Sequence, residues 1–376
     1  MICRFVDSRY KWPISKTRML SPEIIQTAPK ILLHDHLDGG LRPSTIVQLA
    51  KDSEIKSLPT YNANELGDWM TATADRKDLE LYLEAFAHTL SVMQNQDAIY
   101  RVAAECAEDL ADDGIIYAEV RFAPELHLAN RLSVPQVIES VLAGFQSGSE
   151  GRGIIVNALI CAIRSNSRSK EMMEFALQFR SKGVVGFDIA GPEIGYPPSD
   201  HLEAFHLAME SDFPVTIHAG EVGGAIYIQE AVEECGASRI GHGLGLQYEI
   251  PSNEDAGLGE SKLVSLFLDD QIALELCPTS NLHIGAVDSF AEHPISRFLE
   301  LGLCATINTD NRLMSNTCLT KELQICTETF GWDISTVYTL MRNALSSSFI
   351  PTDLKEDLNS VLSDWYLTPS RVHGNT

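Results

Sequence analysis

From residue 31 onward, short apolar runs of strand length alternate with amphipathic helical sequence. The strand-like runs fall at 31–36, 114–122, 153–164, 184–190, 213–218, 238–242, 271–277 and 303–309. The first is followed by a short helix at 43–51. The second is followed by a helix at 133–145, where Ser133 and Gln136 fit a capping box and Ile138, Val141, Leu142 and Phe145 share one face. Helical sequence also follows at 168–181, 199–210, 260–269 and 293–301, and Ile228, Ala231, Val232 and Cys235 line up on another helix. Strict alternation of this kind requires a parallel sheet. Eight units over this length suit a closed (β/α)8 TIM barrel better than an open doubly wound sheet. Residues 52–114 are too long for a strand-to-helix connection and carry helical patterns, such as Leu79, Tyr82, Leu83 and Phe86. They read as a helical insertion beside the first strand that covers a pocket. The chain of 376 residues thus reads as one domain, 1–376. Its barrel spans about 30–316 and extra C-terminal helices about 317–364, and residues 1–29 form an extension.

In a parallel barrel, chemistry gathers at the C-terminal ends of the strands. The first strand ends in His34-Asp35-His36, whose two imidazoles point to the same side of an extended chain. The fourth ends at Asp188 with Gly191 beyond it, the fifth at His218-Ala219-Gly220-Glu221, the sixth at Gly241-His242-Gly243, and the eighth at Asn308-Thr309-Asp310-Asn311. Four of the eleven histidines therefore fall at matching ends of three strands. His34, His36, His218 and Asp310 form a three-nitrogen, one-carboxylate set that suits one Zn2+ with an open position for water. Such an ion lowers the pKa of its water to about 7. Glu221 and His242 remain nearby to move protons, and the ensemble suits hydrolytic attack on an electrophilic carbon. Taken singly, His242 also fits a satisfied core histidine, and Glu221 and Asp310 fit helix caps. His88, His127, His201, His206, His283, His293 and His373 sit off the strand ends and read as structural. Glu119 and Arg121, two apart on one strand, read as a buried ion pair.

Composition narrows the partners. With 28 basic and 52 acidic residues the net charge is −24, which argues against binding a nucleic-acid backbone or an anionic membrane. There is no apolar run of about 18 residues and no secretory leader among the first twenty residues. The eight cysteines are scattered singly, which fits a reducing cytoplasmic setting. No Gly-x-Gly-x-x-Gly follows the first strand and no P-loop is present, so the dinucleotide and nucleotide-triphosphate readings lack their phosphate cradles.

His34-Asp-His36-Leu-Asp-Gly39, Asp188-Ile-Ala-Gly191, His218-Ala-Gly-Glu221, Arg239-Ile-Gly-His-Gly243, Cys277-Pro-Thr-Ser-Asn281 and Asn308-Thr-Asp310 occur in family order. Together they resemble the adenosine deaminases of the metal-dependent amidohydrolase superfamily, from about residue 30 to the C-terminus. The resemblance implies one zinc per chain on His34, His36, His218 and Asp310. It implies that Glu221 protonates purine N1, and that His242 orients the zinc-bound water and handles its proton. It also implies that His36, Asp38, Gly191 and Asn311 bind substrate: Asp38 a ribose hydroxyl, the Gly191 backbone N–H purine N3, and Asn311 purine N7. The expected reaction is hydrolysis of adenosine, and of 2′-deoxyadenosine, to inosine and ammonia in purine salvage. An ionised Asp38 would repel a 5′-phosphate and favour nucleoside over AMP.

Where many relatives have Asp-Asp, this chain has Asp310-Asn311. A neutral amide donates to N7 without first being protonated, so the contact is expected to survive. The alternative reading is deamination of another 6-aminopurine, adenine or a modified adenine nucleoside. A silent binding relative would have lost a ligand or the acid. A phosphotriesterase-like hydrolase would need a bridging Lys at a strand end, and the cytidine deaminase architecture a Cys-x-x-Cys. This sequence has none of these marks. Nothing in it specifies an oligomeric state.

Overall fold

Eight parallel strands form two four-stranded sheets that meet at both edges. A computed structural model describes residues 20–250 and 261–368. Most of the 1–29 extension, the start of the 260–269 helix and His373 lie outside the described residues. The strands are β1 (Lys30–His36), β2 (Ile115–Phe122), β3 (Ile155–Ile163), β4 (Val184–Ala190), β5 (Thr216–Ala219), β6 (Arg239–His242), β7 (Ala273–Leu276) and β8 (Ala305–Ile307). β1 to β4 pair in order, and so do β5 to β8. Single bridges join the two sheets, Phe187 to Val215 on one side and Asp35 to Asp310 on the other. The second bridge is made by His36 N–H to Asp310 O and Asp310 N–H to His34 O, each 3.0 Å. Closing the barrel therefore places the two ends that carry His34, His36 and Asp310 side by side. The expected (β/α)8 barrel is what forms.

Helices α1 (Pro22–Thr27), α2 (Pro43–Asp52), α3 (Ala63–Ala74), α4 (Leu79–Glu84), α5 (Phe86–Val92) and α6 (Gln96–Asp112) precede β2. Asn62, Asp78 and Asn95 cap α3, α4 and α6 through their side chains. The helix α6 packs along β2 and α7 (Val134–Ser149) as part of the outer ring. Within 52–114, the pocket is covered only by α4 and α5, through Leu79, Leu83, Phe86 and Leu90. The ring continues with α8 (Ser169–Gln178), α9 (Leu202–Glu210), α10 (Ala225–Glu233), α11 (Lys262–Asp270), α12 (Pro278–His283) and α13 (Ile295–Glu300). The Ser133–Gln136 capping box opens α7 as expected.

The terminal helices are α14 (Leu319–Phe330), α15 (Ile334–Ser347) and α16 (Thr352–Tyr366). The turn after α15 seals the end of the barrel where the strands begin. There Ser347 O accepts from Arg239 at 2.8 Å, and Phe349 donates its N–H to Glu119 at 2.6 Å.

The barrel interior is ionic as well as aliphatic. Glu119 and Arg121 are both fully buried, but they do not pair with each other. Side chains two apart on a strand are about 7 Å apart along it, so they occupy different layers. Arg121 reaches Asp188 (2.6 Å) and Glu275 (2.7 Å), while Glu119 takes Arg239 (2.6 Å). Glu275 also holds Arg239 at 2.6 Å, which links the two layers. A register shift between Leu32 and Asp35 leaves two β1 amides facing inward. Asn308 Oδ1 accepts both, Leu33 N–H at 3.0 Å and His34 N–H at 3.1 Å.

Candidate metal centre and active site

The strand ends converge on one cluster. His34 Nδ1 lies 2.9 Å from Glu275 Oε2, and His218 Nδ1 lies 2.9 Å from Asp188 Oδ2. The hydrogen bond from His34 Nδ1–H to Glu275 fixes the tautomer that leaves His34 Nε2 as a lone pair pointing inward, while Asp188 stands by His218 Nδ1 without hydrogen-bond geometry. His34 Nε2 is buried without a hydrogen-bond partner among the described residues. His36 Nε2 is 3.2 Å from His218 Nε2 and 3.3 Å from Asp310 Oδ1. Asp310 Oδ1 is 3.6 Å from His34 Nε2, and its Oδ2 accepts from Ser280 Oγ at 2.5 Å. Burial pushes the Asp310 carboxyl up, but His34, His36 and His242 outweigh it and hold Asp310 well below the usual range. Imidazole lone pairs and a carboxylate crowded together out of water require a cation. The donors of His34, His218, His242 and Asp310 all lie within 4.8 Å of one another, and His36 touches two of them. A cluster of this composition and spacing fits a divalent metal ion.

The backbone at the site is unusual. His242 (φ 61°) and Asp310 (φ 55°) occupy the left-handed region, which few non-glycine residues adopt, as do Glu54, Lys77, Arg131, Asp212, Gln271 and Asn316 elsewhere in the chain. A Cβ on Gly241 would sit 3.1 Å from His218 Cα and 3.2 Å from His34 Cε1, tighter than ordinary contact, so glycine eases the approach of these rings.

Glu221 faces the cluster, 3.5 Å from His242 Nε2. Burial, reinforced by Asp310 and Glu193 against Arg164, raises its carboxyl well above the usual range. Its protonated form is thereby favoured, in contrast to Asp310 beside it, whose carboxyl the histidines hold down. A cavity of about 210 Å³ opens onto these groups. Its polar wall is His36, Asp38, His218, Glu221, His242, Asp310 and Asn311. Its apolar wall comes from α4, α5 and the ends of β2 to β4, and Gly191 lies at its edge with φ 110°, a conformation open to glycine alone. A concave, mostly apolar wall with a few convergent polar groups is the make-up of a small-molecule site. Asp38 is buried with Oδ1 unpartnered, and burial followed by the charges of Asp310 and Asp35 raises it to about 7. Its carboxyl is therefore not simply ionised, as the argument against a 5′-phosphate assumes. Asn311 commits one N–H to Asp310 Oδ1 at 2.6 Å and keeps the other.

Of the residues singled out from sequence, His36, Asp38, Gly191, His218, Glu221, His242, Asp310 and Asn311 line this cavity, while His34 and Asp188 lie behind it against Asp310 and His218, and Asn308 and Thr309 are turned to the β1 backbone and to Asp35. Several partners were not singled out. Glu193 accepts from Gly220, Val222 and Gly223 N–H at 2.5, 2.8 and 2.7 Å and so braces the loop that carries Glu221. Arg164 holds His218 O at 3.1 Å. Glu275 left one trace, a lone carboxylate inside an otherwise apolar strand.

Clustered histidines and a carboxylate at the C-terminal mouth of a (β/α)8 barrel, with a buried glutamate beside them, are the arrangement of an amidohydrolase-type barrel. The chain belongs to the adenosine deaminase family, whose profile matches residues 29–365. It is 48% identical over 360 residues to adenosine deaminase 1 of Streptomyces coelicolor, covering 94% of this chain and 91% of that one. In fold it is similar to an adenine deaminase from Arthrobacter aurescens (TM-score 0.81, 24% identity, 91% of this chain and 100% of the other). It is likewise similar to an amidohydrolase from Burkholderia ambifaria solved with zinc bound (TM-score 0.80, 21% identity, 95% of each chain).

Proposed function

We propose that this chain hydrolyses adenosine, and 2′-deoxyadenosine, at C6 to give inosine (or 2′-deoxyinosine) and ammonia in purine salvage, with the following division of labour. Glu221, held neutral by burial, donates its proton to purine N1 and makes C6 electrophilic. His242, whose Nε2 lies 3.5 Å from Glu221 Oε1, orients the attacking water at the His–Asp cluster. Asn311 gives its uncommitted N–H to N7, and the Gly191 N–H reaches N3. Asp38 takes a ribose hydroxyl, which a carboxyl does in either protonation state. His34, His36, His218 and Asp310 hold one Zn2+, which when bound supplies Lewis-acid activation of water at neutral pH. The apolar wall from α4 and α5 keeps bulk water out.

The observation that carries this reading is the buried Glu221, 3.5 Å from His242 and facing the His–Asp cluster. The cavity lining holds no Lys or Arg to pair with a phosphate, which favours a nucleoside over AMP. The described cysteines are free, which supports a reducing, cytoplasmic setting. Among the described residues no helix is long and apolar enough to cross a membrane. An absorbance assay on zinc-loaded protein with adenosine, adenine and AMP tests the substrate. Turnover of adenosine alone is expected. Turnover of adenine or AMP in its place would overturn the assignment of Asp38 and keep the chemistry.

A further inference from the structure

A line of hydrogen bonds outside the reacting groups ends on His242. Ile295, at the start of α13, donates its backbone N–H to His293 Nδ1 at 3.2 Å. A backbone amide only donates, so His293 Nδ1 is an acceptor and the ring's single proton sits on Nε2. That Nε2–H donates to Asn281 Oδ1 at 3.1 Å, and Cys277 N–H donates to the same oxygen at 3.3 Å. Two donors on one oxygen fix which way the amide faces, with Nδ2 toward His242 Nδ1 at 3.0 Å. An amide nitrogen also only donates, so His242 Nδ1 holds a lone pair and its proton is on Nε2. That proton points at Glu221 and at the metal cluster. All three side chains are buried, so water does not compete for these bonds.

We infer that His293 and Asn281 are positioning residues that lock His242 in its Nε2–H tautomer, so that His242 meets the attacking water as a hydrogen-bond donor. The inference rests on the reading of His242 as the residue that orients this water. It also separates two nitrogens that distance alone does not. A protonated Nε2 has no lone pair for a metal, which leaves the third imidazole position to His36, already in contact with His218 and Asp310. His293, read from sequence as structural, thereby gains a role.

The test uses full-length zinc-loaded protein with 15N-labelled histidine. The spectra are expected to show His242 protonated on Nε2. Asn281→Asp is nearly isosteric and keeps the bonds from His293 and Cys277, but a carboxylate accepts only, so the proton is expected to move to Nδ1. With that move, kcat is expected to fall roughly 100-fold, with KM and zinc content within about twofold. His293→Gln, whose amide N–H replaces Nε2–H, is expected to keep most of kcat, and His293→Leu to lose it. A wild-type spectrum with the proton on Nδ1 would overturn the inference, and that spectrum decides even where a variant fails to fold. A moved proton with unchanged kcat would overturn it too. Failure of wild-type protein to turn over adenosine would refute the substrate reading and leave the tautomer result standing on its own.

Discussion

At the scale of single residues, the site separates similar groups by surroundings. Asp310 and Glu221 are both buried carboxyls in one cavity, but Asp310 is ringed by histidines and Glu221 is not. One is therefore anionic and the other acidic, which suits one to a metal and the other to N1. Glu221→Gln keeps the shape and removes the transferable proton. It is expected to lower kcat by roughly 10²–10⁴-fold with metal content unchanged, and steady-state kinetics beside metal analysis checks this. Gly241→Ala is expected to weaken zinc binding, because the added carbon meets His218 backbone and the His34 ring at 3.1 and 3.2 Å, and both must give way. Isothermal titration of zinc into the metal-free variant reads this directly, and wild-type affinity would refute it.

At the scale of elements, the loop after β5 carries Glu221 but does not hold itself in place. Glu193, from the loop after β4, binds three of its amides. Glu193→Ala is expected to cost about 1–3 kcal/mol of stability through unpaired donors, and to lower kcat more than it changes KM. Thermal melts and kinetics of the variant check both. This brace also marks where sequence reading stops. Strand ends and helix caps were legible because they are local: a period, a capping residue, a histidine where an apolar run ends. The residues proposed to hold metal and to act as acid could be brought together from sequence for the same reason, since a parallel barrel gathers strand ends. Pairings across the barrel were not legible. Glu119 and Arg121 looked like partners because they are two apart, but their true partners sit on β4, β6 and β7. Likewise α6 carried a clear helical pattern, but only packing shows that it belongs to the outer ring while α4 and α5 cover the cavity.

At the scale of the whole molecule, buried neutral histidines tie stability to pH. Burial lowers His127 to about 4 and His293 to about 3, from 6.5. The unfolded chain therefore binds more protons below pH 6.5, and stability falls as pH drops through the window from 6.5 toward those values. Each histidine contributes up to about 1.4 kcal/mol per pH unit. Urea unfolding at pH 7, 6 and 5 is expected to show this decline, and His127→Gln to make it shallower. An unchanged slope would mean that His127 is not the group. Barrel closure itself depends on the Asp35–Asp310 bridge that sets His36 beside Asp310, so fold and metal site are coupled, and chelation is expected to lower the melting temperature. The most direct test of the whole account is to titrate zinc into metal-free protein while following adenosine deamination. The account predicts activity that is negligible without metal, rises linearly, and levels off at one equivalent per chain. Full activity without metal, or none at saturation, would contradict it.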